Sequence, residues 1–275
     1  MESKDAIRDR IWDRLGDEEI ARFPFPPHGR ITNYDGAREA ADRAISLPEL
    51  ADAETVKANP DAPQLPLRRR LLDEGKTVYM AVPRLRERAC FVELDPATIS
   101  DTDAAATVSK MSGYGTAVEP ADVPEIDAIV AGSVAVTERG VRIGKGEGYS
   151  DLEYGILREF GRVAGETPTV TTVHDIQVID EEVTPAPYDV VMDVICTPTR
   201  TIRTEAEGKP EGVCRKYLTE KQREALHSAH FSGFYEWPRG TSGDTLAESM
   251  DIVRSTYHQH LRSAEKKLVE AFLEK

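Results

Sequence analysis

The sequence predicts an α/β domain, a mostly parallel sheet with flanking helices, followed by a separate all-α domain. Two observations carry that expectation. Strand-like runs at Thr55-Val56-Lys57, Thr77–Val82, Ile126–Val136, Thr169–Val173 with Ile176–Ile179, and Val190–Ile195 alternate with stretches of helical period. The texture then changes at a polar Gly/Pro stretch around Arg203–Val213, beyond which only helical patterns occur. The expected organisation is residues 1–203 as the α/β domain, 204–216 as linker and 217–275 as the helical domain.

Taken in order, Asp5 to Leu15 places Ile7, Ile11, Trp12 and Leu15 on one helical stripe, with Lys4 and Arg8 four apart on another face. Phe23-Pro24-Phe25-Pro26-Pro27-His28-Gly29-Arg30 cannot be helix, because proline fixes φ and removes donors. It reads as an extended aromatic loop in which His28 packs or faces solvent. Gly36 to Ala44 is helical; a Pro-rich loop follows Lys57, and a short basic helix spans Leu67 to Glu74. Pro83-Arg84-Leu85-Arg86 closes the strand Thr77–Val82. Ligands gather at strand C-terminal ends in open α/β sheets, which makes Arg84 and Arg86 candidate anion contacts as readily as a surface pair.

In the C-terminal region, Thr219 with Gln222 three residues later forms a capping box that starts a helix running to about Gly233. A short helix, Thr245 to Met250, turns tightly into a last helix from Ser255 to about Glu274. Helix, short helix, tight turn, helix is helix-turn-helix grammar.

Composition narrows the class. The net charge of −14 sits in the first 205 residues, which hold 24 Lys+Arg against 38 Asp+Glu, whereas residues 206–275 balance 11 against 11. So acidic a body repels a phosphate backbone and suits a high-salt, haloarchaeal-like host. Cys90, Cys196 and Cys214 are widely spaced and read as reduced thiols rather than zinc ligands. No apolar run approaches the ~18 residues of a membrane span, and Met1 to Arg10 lacks the apolar core of a secretory signal, so a cytoplasmic protein is expected.

The densest chemical signal is Gly144-Lys145-Gly146-Glu147-Gly148-Tyr149-Ser150-Asp151, set between a strand-like and a helix-like run. Glycine at every second position permits positive φ and lets several N–H groups face one anion. The next helix adds its positive N-terminal end. Lys145 supplies a mobile cation, and Asp151 a carboxylate where phosphate-bound magnesium could be held. The spacing is neither a Walker loop nor a dinucleotide fingerprint, and a ligand-free Gly-rich turn stands as the alternative.

Residues 1–200 resemble the 5-formyltetrahydrofolate cyclo-ligase (methenyltetrahydrofolate synthetase) family. The resemblance rests on Lys4-x-x-Ile7-Arg8, Asp73-Glu74-Gly75-Lys76, the loop from Arg142-Ile143 through Gly144–Asp151, Gln177 and Asp189-x-x-x-Asp193. Phe23-Pro24…His28-Gly29-Arg30, Val56-Lys57…Pro60-Asp61 and Gly148-Tyr149-Ser150-Asp151-Leu152-Glu153-Tyr154 are similar to its synthetase domain-containing branch. The resemblance implies an isomerase/CoA-transferase-like sheet and ATP- and Mg²⁺-dependent closure of a reduced folate or pterin analogue. It assigns catalysis to Arg142 and Lys145, nucleotide binding to Lys4, Arg8, Gly144, Gly146, Gly148 and Tyr149, and metal binding to Asp151. Three departures stand out: no carboxylate at Pro63-Gln64-Leu65, where the family contacts the folate, Ser150 in place of a second tyrosine, and Glu147 where phosphate would lie.

Residues 218–271 resemble the C-terminal helix-turn-helix of haloarchaeal bacterio-opsin activator-type regulators. The carriers are Leu218-Thr219…Gln222-Arg223-Glu224-Ala225-Leu226, Gly233-Phe234-Tyr235-Glu236-Trp237-Pro238-Arg239 and Ala264-Glu265-Lys266-Lys267-Leu268. Asp251 departs from the glycine usual in the turn. The resemblance implies duplex DNA as partner. Arg254, Ser255, Thr256, His258, Gln259 and Arg262 are the candidate DNA contacts, with Leu261, Ala264 and Leu268 on the packed stripe. A homodimer through this domain is expected, since a neutral tail on an acidic body binds DNA weakly as one copy. Two readings compete: a cyclo-ligase with a DNA-binding tail, and an inactive nucleotide- or pterin-sensing regulator.

Overall fold

The computed structural model describes residues 2–82, 89–206, 208–211, 217–235 and 237–273. Arg84, Arg86 and Cys214 lie outside them. Two units separate, Met1–Pro210 and Glu211–Lys275.

The first unit opens on α1 (Lys4–Asp17), whose first turn is capped by Ser3 Oγ accepting from the Ala6 amide at 3.2 Å. Its stripe of Ile7, Ile11, Trp12 and Leu15 is buried, as its spacing predicts. Then come α2 (Ala37–Ile45), α3 (Pro48–Ala51), β1 (Thr55–Ala58), α4 (Leu65–Asp73), β2 (Thr77–Ala81) and β3 (Phe91–Leu94). Two short helices, α5 (Thr102–Ala105) and α6 (Met111–Tyr114), precede β4 (Thr116–Val118), β5 (Ala128–Ala131), β6 (Ala135–Thr137) and β7 (Arg142–Ile143). The unit continues with α7 (Tyr149–Glu159), β8 (Thr169–Thr172), β9 (Val178–Ile179), β10 (Val194–Cys196) and β11 (Thr201–Arg203).

The main sheet has eight strands in the order β11-β10-β8-β5-β1-β2-β3-β4. Its centre, β10-β8-β5-β1-β2, is parallel, while β11 and the β3-β4 pair run antiparallel at the edges. The expected mostly parallel α/β sheet is the one observed. Central strands such as Ala128-Ile129-Val130-Ala131 are apolar throughout because both faces are covered. One core joins α2 and α4 to one face through Leu50, Leu67, Leu71, Val56 and Val130. The other gathers Tyr154 and Leu157 of α7 with Ile129, Phe91 and Ile195.

The apolar run Ile126–Val136 divides between two sheets. β6 pairs with β7 and β9 in a separate three-stranded sheet. The break falls at Gly132, where a Cβ would lie 2.6 Å from Asp61 Oδ2, so the chain passes where no side chain fits. The stretch 204–210, read as linker, is fastened to the first unit. Thr204 Oγ1 donates to the Met192 carbonyl at 2.6 Å, and Lys209 donates to the Thr167 carbonyl at 2.6 Å and to Asp193.

The second unit contains α8 (Glu220–Phe231), α9 (Gly243–Ser249) and α10 (Arg254–Leu273). The Thr219–Gln222 capping box forms in both directions, and Ser242 caps α9 through the Thr245 amide. Ala225, Ala229, Leu246, Ala247, Tyr257 and Leu261 make its core. Asp251, in the turn between α9 and α10, has φ 52°, the left-handed conformation that glycine adopts most cheaply. Among the described residues no helix is long and apolar enough to cross a membrane.

Candidate active site and nucleic-acid interface

The glycine loop leads directly into α7. Gly146 (φ 102°) and Gly148 (φ 71°) take positive φ, and Gly148 stands at the N-cap without any side-chain cap. The first amides of α7 therefore have no intrahelical acceptor and sit at the positive end of an eleven-residue helix. They border a cavity of about 270 Å³ at the C-terminal ends of β1 and β2. Gly144, Lys145, Gly148, Tyr149, Arg142 and Asp61 are part of its wall.

Arg142 is 6 % exposed and donates from Nη2 to both Asp151 oxygens at 2.7 Å, with Nη1 on the Gly132 carbonyl at 3.1 Å. Its Nε–H is buried with no hydrogen-bond partner. Asp151 also accepts from the Val190 amide at 3.0 Å. Both of its oxygens are thus committed within the protein. No group of three or more His, Cys, Asp or Glu side chains among the described residues is placed to hold a metal.

Lys4 and Arg8 lie on the loop's outer side. Arg8 Nε donates to the Gly144 carbonyl at 2.6 Å and its Nη1 meets Asp5; Lys4 pairs with Asp189. Neither side chain lines the cavity, and their contact with it runs through the loop and its neighbours. Glu147 lines the cavity and pairs with Lys145, Nζ to Oε2 at 2.7 Å.

Three residues in the cavity region escaped the sequence reading as site residues. Lys57 and Glu153, both nearly inaccessible, form a buried ion pair, and Lys57 also donates to Asn59 Oδ1 at 2.6 Å. Glu153 lines the cavity. A lysine in β1 and a glutamate in α7 look unrelated in sequence; only the packing of α7 on the sheet joins them. Asp61 supplies a carboxylate just before the stretch 63–65 that lacks one. Its position is fixed by Arg68, fully buried, which donates to the carbonyls of Asn59 (2.7 Å), Asp61 (2.9 Å) and Ala106 (2.9 Å). Burial lowers the Arg68 pKa to about 10. Burial, then the charge of Glu153, holds the Asp61 carboxyl above the usual carboxylate range, against Lys145, Arg68 and Lys57.

A second cavity of about 350 Å³ shares Ile31, Asp61 and Lys145 with the first and is walled by Pro24, Pro26 and His28. Phe23 and Phe25, beside those prolines in sequence, are 80 % and 60 % exposed. His28 is exposed, with Nε2 3.0 Å from Asp13 Oδ1 and its ring 5.5 Å from that of Trp12. Burial pushes the Cys90 and Cys196 thiols up to about 11, which keeps them protonated at neutral pH.

In the second unit, Arg254, Ser255, Gln259 and Arg262 of α10 are exposed and Thr256 is half-buried. Arg254 pairs with Asp244 at 3.2 Å. His258 differs: its ring packs on Phe234 and Tyr257 and blocks any Cβ at Gly243, 2.5 Å from Nε2. Leu261 and Ala264 are buried and Leu268 half-buried, as the expected packed stripe.

Residues 1–198 match the family model described as the 5-formyltetrahydrofolate cyclo-ligase family. The chain belongs to that family. The cyclo-ligase match is joined to a second, at residues 218–270, to an HTH DNA binding domain. A methenyltetrahydrofolate synthase domain-containing protein of Bos taurus is 43 % identical over 216 residues, 77 % of this chain and 57 % of that protein. The chain thus spans a little over half the length of that relative. A bacterioopsin transcriptional activator of Halobacterium salinarum is 60 % identical over 60 residues, 22 % of this chain and 9 % of that protein. A solved 5,10-methenyltetrahydrofolate synthetase of Aquifex aeolicus, 22 % identical, aligns over 76 % of this chain and 96 % of its own, with a TM-score of 0.46.

Proposed function

We propose that this cyclo-ligase family chain closes a reduced folate, or a pterin analogue, to its methenyl form at the expense of ATP, and that its tail binds duplex DNA. One observation carries the nucleotide half: an uncapped helix N-terminus, Lys145 and Arg142 border one cavity where the glycine loop enters it. These groups fit a polyphosphate, since cations and a positive helix end both favour an anion.

The Gly144, Gly146, Gly148 and Tyr149 backbone would cradle the phosphates. Lys145 and Arg142 would offset charge that develops on the transferring phosphoryl group. Lys4 and Arg8 would act through the loop, Arg8 by holding the Gly144 carbonyl. Asp151 would orient Arg142 and meet a phosphate-borne Mg²⁺ through water, because both its oxygens already accept from the guanidinium. ATP supplies the phosphoryl group that activates the formyl oxygen, so that N10 can close the ring and phosphate leaves.

In the tail, Gln259 would read a base edge and Arg254 and Arg262 would meet phosphate, with Ser255 and Thr256 at the entry of the groove. His258 would shape the turn from inside. A homodimer would bring two such helices to two half-sites. The cytoplasm of a haloarchaeal-like cell, with its high salt, suits the acidic body.

Purified protein incubated with 5-formyltetrahydrofolate and MgATP at molar salt should develop methenyl absorbance. Tight ATP binding without product would turn the proposal to a nucleotide-sensing regulator.

A further inference from the structure

In the second unit an arginine is held ready beside α10 without a carboxylate of its own. The chain between α8 and α9 departs at Gly233 (φ 72°) and is tied back at Gly240, whose amide donates to the Gly233 carbonyl at 2.9 Å. Next to that closure, Arg239 Cζ lies 4.6 Å from the centroid of the buried Phe234 ring. A flat guanidinium on an aromatic face is held in place while its N–H edge stays available. Among the described residues it meets no carboxylate, whereas Arg254 is paired with Asp244 at 3.2 Å.

Phe234 fixes where that cation lies. The same ring packs on His258, with centroids 6.2 Å apart, and Gly243 at the start of α9 abuts the same imidazole. Arg254, His258 and Arg262 are four residues apart and form one row along α10. Through Phe234, Arg239 therefore flanks the middle of the row whose arginines would meet phosphate. Trp237, two residues before it, is 95 % exposed. A single exposed aromatic indicates nothing by itself. This one stands on the same tied segment as the unpaired cation.

We infer that Arg239 and Trp237 make a second contact with duplex DNA, outside the groove that α10 would read. Arg239 meets a backbone phosphate, and Trp237 packs on the neighbouring deoxyribose. The inference rests on the DNA-binding reading of the tail and deepens it by adding a contact from a different segment. DNA suits the pair better than a protein surface does, because Arg239 extends the positive flank of Arg254 and Arg262. Such a contact positions the protein and carries no sequence information.

The test uses the full chain and a labelled duplex enriched from a random pool. Affinity is titrated over a roughly tenfold range of KCl in which a circular-dichroism melt shows each variant folded. A phosphate contact adds ~0.9 to the salt slope, so wild type should lose ~8-fold more affinity over that range than Arg239→Gln, with sequence preference unchanged. Arg239→Lys, which keeps the charge, should keep the wild-type slope. Emission reports the other half, since the chain's two tryptophans are Trp12, buried in the first unit, and Trp237. Saturating unlabelled duplex should quench wild type and leave Trp237→Phe unchanged. If Arg239→Gln does not fold, the emission measurement decides alone. A wild-type slope in folded Arg239→Gln, or emission that ignores saturating duplex, overturns the inference; Arg262→Ala still flattening the slope would then leave the α10 reading intact. No duplex bound by wild type overturns both.

Discussion

Gly146→Val is the sharpest perturbation of the glycine loop. The obstacle is backbone rather than space: a Cβ at Gly146 would lie 3.6 Å from Arg8 Cζ, an ordinary contact, but φ is 102°. A β-branched residue at such a φ is a genuine outlier and costs about 1–3 kcal/mol. The loop relieves that strain by moving, and it carries with it Lys145 and the Gly144 carbonyl held by Arg8. The expected result is a ~10–100-fold loss of ATP affinity, or ~1.4–2.8 kcal/mol, read by titration calorimetry. Gly146→Ala should fall between the two, since it keeps the φ penalty without the branch. A circular-dichroism melt establishes that each variant is folded. Folded Gly146→Val with wild-type affinity for ATP would refute the loop as the phosphate site.

Other consequences are equally direct. Lys57→Met should destabilise by ~3–5 kcal/mol in urea titration, because it strands the Glu153 charge in the interior, whereas Lys57→Met with Glu153→Leu should recover most of that loss. Arg142→Gln should likewise cost ~3–5 kcal/mol by leaving Asp151 without its bidentate partner. In the tail, Gln259→Ala should relax sequence preference by ~1–3 kcal/mol per base pair read, while Arg262→Ala should weaken all duplexes alike and flatten the salt slope by about one; selection from a random duplex pool checks both. Burial and the nearby charges of Arg223 and His230 hold His227 down to about 4, below its ordinary value. A depressed pKa means that its contribution is complete above the ordinary value and is lost as pH falls through that window, so the tail's melting midpoint should drop between about pH 6.5 and 4. A flat midpoint there, or the same drop in His227→Leu, would contradict it.

Much of the fold was legible because periodicity is written in neighbouring residues. Ile7, Ile11, Trp12 and Leu15 announce α1, and Thr219 with Gln222 announces α8 to the residue. The short strands β3, β4 and β11 were not legible, since three or four residues with Glu93 or Arg203 among them carry too little pattern. The division of Ile126–Val136 between two sheets falls where Asp61 closely approaches Gly132, a long-range contact that no local pattern encodes. At the site, glycine spacing correctly located the loop's turn into α7. Spacing could not say that Asp151 is bound to Arg142, that Arg8 holds a carbonyl, or that Lys57 finds Glu153 across 96 positions. Two of those pairs join elements distant in sequence, and the third, nine residues apart, spans the glycine loop. His258 illustrates the converse: helical register placed it among the DNA contacts, and the room left by Gly243 drew its ring inward.

The most direct measurement is stoichiometric. With 5-formyltetrahydrofolate and MgATP at molar salt, methenyl absorbance and phosphate release are followed together in one cuvette. The account predicts one phosphate released for each methenyl formed, and loss of both signals in Gly146→Val. Phosphate release with no methenyl product, or methenyl formation that is independent of ATP, would contradict it.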